Sequence, residues 1–326
     1  MCEDPLVTIA IVAYNSERYI SMAIDSVLSS NYRHFELIIS DDNSKDKTWS
    51  IIQSYDDPRI RAMRNVTNLG EYPNREQCIR LAKGEYFIFI DGDDMMYPHG
   101  LEFMTRMLHA FPQCAMALMW GYKSNLFYPV VVSPQQFFQG IYFRYGLNSI
   151  AFANTFFRTS VLKEEGKFRK GTTTGDACLR MKIGRKYPLL LISDQLTFWR
   201  ETPGQASSRL QNNFQAITEH FDRQFEQLLL SPLSDQEKVL ARRNLRIQVI
   251  YAVVGLIKKL RVREAHKLLR HYHLSPAAFR YYLQKPTYMD PFSDYTPDNV
   301  FMQPISKNPF SKGDKPPGSI EPIGIK

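Results

Sequence analysis

The stretch Tyr86-Phe87-Ile88-Phe89-Ile90-Asp91-Gly92-Asp93-Asp94 constrains this chain more than any other. An apolar, aromatic and β-branched run stops abruptly at three carboxylates within four positions. Such a run suits a short strand buried on both faces of a parallel sheet. In open parallel sheets, ligands bind beyond the carboxyl ends of the strands. The three aspartates are therefore expected at the mouth of a ligand crevice. Carboxylates packed so closely repel one another unless a cation neutralises them. Mg²⁺ and Mn²⁺ take carboxylate oxygens and commonly share their coordination sphere with substrate phosphates. A solvated acidic turn is the other reading of the same residues.

The N-terminal half repeats the pattern of strand, turn and helix. Val7 to Asn15 reads as a first buried strand. Ser16 is placed to cap a helix whose Ile20, Ala23, Ile24, Val27 and Leu28 share one face. Phe35 to Ser40 is a second strand that runs into Asp41 and Asp42, and Asn43 and Ser44 form the turn and cap for a helix carrying Trp49 and Ile52. Ile60 to Arg64 is a short third strand, Asn68-Leu69-Gly70 a turn, and about Pro73 to Ala82 a helix ended by Lys83-Gly84. Pro98 is expected at the first position of a helix carrying Leu101, Met104 and Leu108, with Pro112 as its stop. Strands alternating with helices predict an α/β fold: a Rossmann-like, mostly parallel sheet flanked by helices.

In order and spacing, several of these residues match a known family over about the first 110 positions. They are Ile11-Val12-Ala13-Tyr14-Asn15, Ser40-Asp41-Asp42-Asn43-Ser44, Asn68-Leu69-Gly70, Arg75, Ala82-Lys83-Gly84-Glu85-Tyr86 and Asp91-Gly92-Asp93-Asp94. A weaker match continues through Thr155 to Arg158, Gly175-Asp176 and Trp199-Arg200. The chain resembles the family-2 inverting glycosyltransferases, which have the A-type glycosyltransferase fold.

The resemblance implies a nucleotide-diphosphate sugar donor, Mn²⁺ or Mg²⁺ as cofactor, and a hydroxyl of a glycan or lipid-linked acceptor. It assigns the base of the nucleotide, a uracil, to Ala13, Tyr14 and Asp42, with Glu17 and Asn68 as further nucleotide candidates. Asp41 or Asp42 could equally cap the following helix. Arg75 matches an arginine beside the diphosphate, where a planar donor fork suits phosphate; a solvated helix residue is the alternative. Relatives usually follow that arginine with Asn, and this chain has Glu76. The resemblance gives Asp93 to the metal, Asp91 to the ribose or the surroundings of the metal, and Asp94 to the donor-sugar side. The general base is expected at Asp176, where Gly175 stands in place of a customary Glu; a helix cap is the other role open to Asp176. The segment from Trp199 and Arg200 to Ser207 resembles a closing loop over the diphosphate, with Thr202 where a metal-binding His is often found. Trp199 suits either a stacked sugar or the core.

The chain has 326 residues and a net charge of +8, room for one large α/β domain with an appendage. We expect a catalytic domain over 1–207, a helical extension over 208–284 and an extended, partly disordered tail over 285–326. Cys2, Cys78, Cys114 and Cys178 lack metal-ligand spacing and read as reduced cytosolic thiols. The acidic start enters a strand almost at once, which reads as no leader peptide, and no apolar run is long enough to span a bilayer. No feature points to nucleic acid. From about Asp235 to Tyr272 a long helical stretch is expected. Between Val239 and Leu274 it carries nine Lys and Arg residues against Glu264 as the one acid. A basic amphipathic helix of this kind lies on an anionic membrane surface, or packs its apolar face on the catalytic domain or on another subunit. The cytoplasm, with peripheral contact at the membrane face, is the expected location. Two competing functions are a sugar nucleotidyltransferase and a degenerate, non-catalytic binding subunit. The first wants a Gly-rich basic loop after the first strand, which Tyr14-Asn15-Ser16-Glu17 is not; the second is suggested by Gly175 and Glu76.

Overall fold

The computed structural model describes residues 4–120, 128–144, 147, 150–168, 172, 174–192, 196–202, 213–275, 286, 287 and 289. Most of the expected tail, and the closing segment beyond Thr202, lie outside the described residues.

Strands β1 (Val7–Ala13), β2 (Phe35–Asp41), β3 (Ile60–Arg64) and β4 (Tyr86–Asp91) form the parallel half of an eight-stranded sheet. Its order is β3-β2-β1-β4-β8-β6-β9-β7, with β6 (Met116–Met119), β7 (Val130–Val132), β8 (Thr155–Arg158) and β9 (Leu189–Ile192). Only β8 and β7 run against the rest. Beside the sheet, β5 (Met95–Met96) and β10 (Thr197–Phe198) pair as a small antiparallel ribbon.

The alternation of strand side chains splits β4 between two cores. Phe87 and Phe89 face a cluster closed by α3 (Glu71–Leu81) through Tyr72, Cys78 and Ile79. Tyr86, Ile88 and Ile90 face a second cluster closed by α1 (Ile20–Leu28) and α4 (Gly100–Ala110). Both faces are covered, which is why the run is apolar throughout.

The ends of the elements differ from expectation in instructive ways. Ser16 caps no helix with its side chain; its carbonyl accepts from the amides of Tyr19 and Ile20, and α1 starts at Ile20. Asn43 and Ser44 do not cap α2 (Thr48–Gln53); Asp46 accepts the Thr48 amide at 3.0 Å. Pro98 precedes α4 rather than opening it. Gly84 is not a left-handed helix cap: a Cβ there would stand 2.5 Å from the Thr8 amide nitrogen, so the glycine serves the close approach to β1.

Helices α5 (Pro134–Gln139), α6 (Thr159–Glu165) and α7 (Gly175–Gly184) complete the sheet's surroundings. The C-terminal helices are α8 (Phe214–Leu230), α9 (Asp235–Lys258) and α10 (Val262–His271). The single long helix expected from Asp235 to Tyr272 is two, because Leu260 takes a left-handed φ of 59°. Ser234 and Glu237 form a capping box at the start of α9. Leu228, Leu233, Ala241 and Leu245 belong to the same apolar cluster as β4 and α3, and Tyr142 Oη donates to the Gln224 carbonyl at 2.9 Å. Among the described residues no helix is long and apolar enough to cross a membrane.

Candidate active site

Register brings the expected residues to one edge. Ala13 lies opposite Asp41, and Val12 opposite Asp91, so β1, β2 and β4 end side by side. The turns after β1 and β2 are stitched together. Asn15 and Asn43 take left-handed φ values of 52° and 61°, which asparagine tolerates. The Asn15 amide donates to Ser44 Oγ at 2.9 Å, and the Lys45 amide to Asn15 Oδ1 at 2.8 Å. Tyr14 stands 49% exposed at this mouth.

Asp41 and Asp42 have different roles. Asp41 is fully buried, accepts the Ser44 amide and pairs with Arg64 at 3.2 Å. Asp42 is buried and shapes the Asn68-Leu69-Gly70 turn: it accepts the Leu69 amide at 2.8 Å, the Gly70 amide at 2.9 Å and Asn65 Nδ2 at 2.8 Å. A carboxylate has about four lone-pair sites, so three bonds leave it one more donor to accept. Exposed Asn68 closes the same turn through Gly70. Glu17 accepts the Lys47 amide at 2.9 Å and so braces the start of α2.

The three aspartates after β4 are held in three ways. Asp91 pairs with Arg75 at 2.5 Å. Asp93 accepts the Thr202 hydroxyl on Oδ2 at 2.9 Å, and burial raises its pKa, with Asp91 adding to the rise. Asp94 is 1% exposed; Oδ1 accepts the Arg200 amide at 2.9 Å, and Oδ2 is buried with no hydrogen-bond partner among the described residues. Burial first, then the charge of Asp91, pushes its carboxyl up to about 8.

A buried orphan oxygen beside two further carboxylates fits a hard divalent cation. No three His, Cys, Asp or Glu residues among those described gather into a metal cage. Asp93 and Asp91, which the resemblance gives to the metal and its surroundings, and the orphan oxygen of Asp94 are the groups that would hold such a cation. The β5–β10 ribbon is what brings the closing segment here. Its pairing sets Phe198 opposite Met95, so Arg200 and Thr202 land on Asp93 and Asp94. Arg200 Nε also donates to the Asp93 carbonyl at 3.0 Å, and its guanidinium lies over Tyr19 and Phe198. Trp199 is 45% exposed, which removes the core alternative for it.

Arg75 is buried, not a solvated helix residue. Its guanidinium reaches Asp91 and, at 3.3 Å, Glu71, and lies 5.0 Å from the Phe89 ring and 4.7 Å from the Phe152 ring. Burial opposes its charge, but Asp91 and Glu71 outweigh that and raise its pKa. Nε and Nη1 have no partner among the described residues. Two guanidinium nitrogens are thus buried without a hydrogen-bond acceptor among the described residues.

Asp176 lies in the first turn of α7, and no side chain caps that helix. It pairs with buried Arg180 at 3.1 Å. The start of α7 packs directly on α3: a Cβ on Gly175 would fall 2.5 Å from the Tyr72 ring. That contact sets Asp176 close enough to Glu71 and Tyr72 for its charge to act on both. Desolvation raises the Glu71 pKa, and Asp91 and Asp176 add to it against the pull of Arg75. The two departures from the family pattern belong to one packed patch. Tyr72 occupies the space a side chain at 175 would need and packs at a tilt 5.1 Å from the Phe168 ring; Glu76 accepts the Phe168 amide at 2.6 Å.

Glu71, Tyr72 and His220 are absent from the sequence-based set. Glu71 stands four residues before Arg75, a helical ion-pair spacing that signals it. His220, on α8, has its pKa lowered by burial against the opposing charge of Asp176; nothing in the sequence links it to residue 176.

Comparison with known proteins agrees with this geometry. The chain is 42% identical over 89 residues to the Escherichia coli UDP-Glc:alpha-D-GlcNAc-diphosphoundecaprenol beta-1,3-glucosyltransferase WfaP, a match over 27% of this chain and 36% of that protein. That is well under two thirds of the relative's length. Among solved structures, Staphylococcus aureus TarS 1-349 in complex with UDP-GlcNAc superposes with a TM-score of 0.63 at 17% identity, covering 81% of this chain and 78% of the other. The mannosyltransferase PcManGT from Pyrobaculum calidifontis, in complex with GDP-Man and Mn²⁺, gives 0.58 at 16% identity, covering 92% and 84%. These likenesses establish the A-type fold. The model of glycosyl transferase family 2 matches residues 8–189, more than half of the chain. With its strand-end aspartates and its sheet order in agreement, the chain belongs to glycosyl transferase family 2.

Proposed function

We propose that the protein is an inverting hexosyltransferase that moves a sugar from a nucleotide-diphosphate sugar, UDP-linked, to a hydroxyl of a glycan or lipid-linked acceptor in cell-surface polysaccharide synthesis. One observation carries this reading: Asp91, Asp93 and Asp94 crowd the end of β4, with a buried Asp94 oxygen that has no hydrogen-bond partner among the described residues. A site so acidic admits a diphosphate only together with a cation. Bound Mn²⁺ or Mg²⁺ supplies neutralisation of the charge that builds on the departing diphosphate.

The chain's own residues supply the rest. Asp42 has one acceptor site left for a ring N–H of the base, and exposed Tyr14 offers a face for it. Arg75 Nε and Nη1 are donors held ready for phosphate oxygens. Arg200 and Thr202 hold the aspartates in place from above. Asp176, on the acceptor side, takes the proton of the attacking hydroxyl. The new C–O bond forms at the anomeric carbon as the bond to the diphosphate breaks on the opposite face, so the configuration inverts. Thr202, where a histidine ligand is common, offers no imidazole to a cation and instead donates its hydroxyl to Asp93. The relative WfaP, a UDP-Glc:alpha-D-GlcNAc-diphosphoundecaprenol glucosyltransferase, supports the UDP-linked donor and the lipid-linked acceptor, and PcManGT with GDP-Man and Mn²⁺ supports the coarser class of nucleotide-diphosphate sugar with a divalent cation. The setting proposed is the cytoplasmic face of the membrane.

Release of nucleoside diphosphate from a panel of UDP- and GDP-sugars, with Mn²⁺ and candidate acceptors, tests the reading. Transfer liberates the diphosphate. Pyrophosphate release from a nucleoside triphosphate and sugar phosphate would indicate a nucleotidyltransferase instead. Donor binding without turnover against any acceptor would indicate a binding subunit.

A further inference from the structure

The turn between α9 and α10 is unusual in two respects. Leu260 adopts a left-handed φ of 59°, which L side chains rarely do. Its side chain is also 88% exposed. Ile257 and Val262 flank it at 46% and 60% exposure. The apolar face expected along α9 is otherwise used internally: Val249, Ile250, Val253 and Leu256 close against Ala265 and Leu268 of α10 and Phe221 of α8. Packing therefore explains the stripe but not its tip.

Exposed Lys258, Lys259, Arg263 and Lys267 surround that tip. Glu264, the one acid between Val239 and Leu274, is engaged by Arg261, whose Nε donates to it at 3.0 Å. Three exposed apolar side chains thus stand among basic ones at the end of a packed helical hairpin.

We infer that this tip is a docking site for an anionic lipid surface. Ile257, Leu260 and Val262 enter the headgroup region, and the basic side chains bind lipid phosphates. A second copy of the chain is a poor occupant, since a two-fold contact sets like charges against each other. The inference deepens the reading of a lipid-linked acceptor and rests on it only for the biological purpose of the contact.

Vesicle co-sedimentation of the full chain tests it. Phosphatidylglycerol–phosphatidylcholine vesicles should pellet the protein at low ionic strength and less at high, because salt screens those basic side chains; phosphatidylcholine alone should not. Leu260→Gly should lower the partition constant about tenfold, the loss expected on withdrawing a leucine side chain from an apolar medium. It should not lower the melting temperature, because glycine suits a positive φ. The pair Lys258→Glu and Arg263→Glu should remove the salt-sensitive part of binding. No pelleting with anionic vesicles at low salt overturns the inference. So does wild-type binding by Leu260→Gly and by the charge-reversed pair, or a lipid-free dimer in sedimentation velocity that Leu260→Gly abolishes. Diphosphate release with a short soluble acceptor, measured without vesicles, tests the transferase reading separately, since Leu260 lies outside the site.

Discussion

At the residue scale, the site is a balance of charges that a ligand must complete. Asp93→Ala should abolish Mn²⁺-dependent binding of nucleoside diphosphate in calorimetry while the fold persists, because among the described residues the Asp93 carboxylate accepts from the Thr202 hydroxyl and the bond from Arg200 goes to the Asp93 carbonyl, which the variant keeps. Asp176→Asn should leave donor KM nearly unchanged and lower kcat by about 10²–10⁴-fold, the usual worth of a positioned base; steady-state kinetics decide it. Asp94 predicts a pH dependence. Its folded pKa, about 8, lies above the ordinary value of 3.8, so the folded state holds the proton more tightly. That contribution to stability is complete below about pH 4 and is lost as pH rises through 8. In chelator, the melting temperature should fall between pH 5 and pH 8 by more in the wild type than in Asp94→Asn. A divalent cation, which favours the carboxylate, should reduce the difference.

At the element scale, the junction of α3 and α7 is the critical contact. Gly175 exists because the Tyr72 ring occupies the neighbouring space, at 2.5–2.9 Å from any Cβ. Gly175→Ala should cost about 1–3 kcal/mol by overpacking, and most of that cost should vanish in a Tyr72→Ala background. Chemical denaturation of the four proteins in the cycle measures the coupling. The glycine that departs from the family pattern is thus a packing solution, and Asp176 beside it keeps its place at the site.

At the scale of the whole molecule, the two halves of the site come from distant parts of the chain. The residues proposed for the donor lie mostly at strand ends and on α3 within the first hundred positions. Asp176 arrives on α7, and α8 places His220 near it. Ligand should therefore stabilise the molecule as a unit. UDP with Mn²⁺ at a hundredfold excess over Kd should add roughly 2.7 kcal/mol, a rise of about 4 °C in Tm for a chain of this size. UDP with chelator should give little rise, and a thermal-shift titration separates the two.

The sequence by itself determined the parallel half of the sheet, the location of the aspartates and the family. Those features are local. An apolar run buried on both faces must end where the chain meets water, and a polar motif at that end needs no distant partner to be seen. β1 to β4 match their expected spans to within two residues. The tertiary structure alone decided what those residues touch. It joined Asp91 to Arg75, gave Asp42 to the 68–70 turn, and brought Thr202 onto Asp93 through a ribbon of two-residue strands. It also divided the basic helix in two, burying most of its apolar face and exposing Leu260 at the turn. Such contacts depend on side chains far apart in sequence, between 16 and 109 positions in the site pairs. Periodicity records which face of an element is apolar, but not which partner that face will meet.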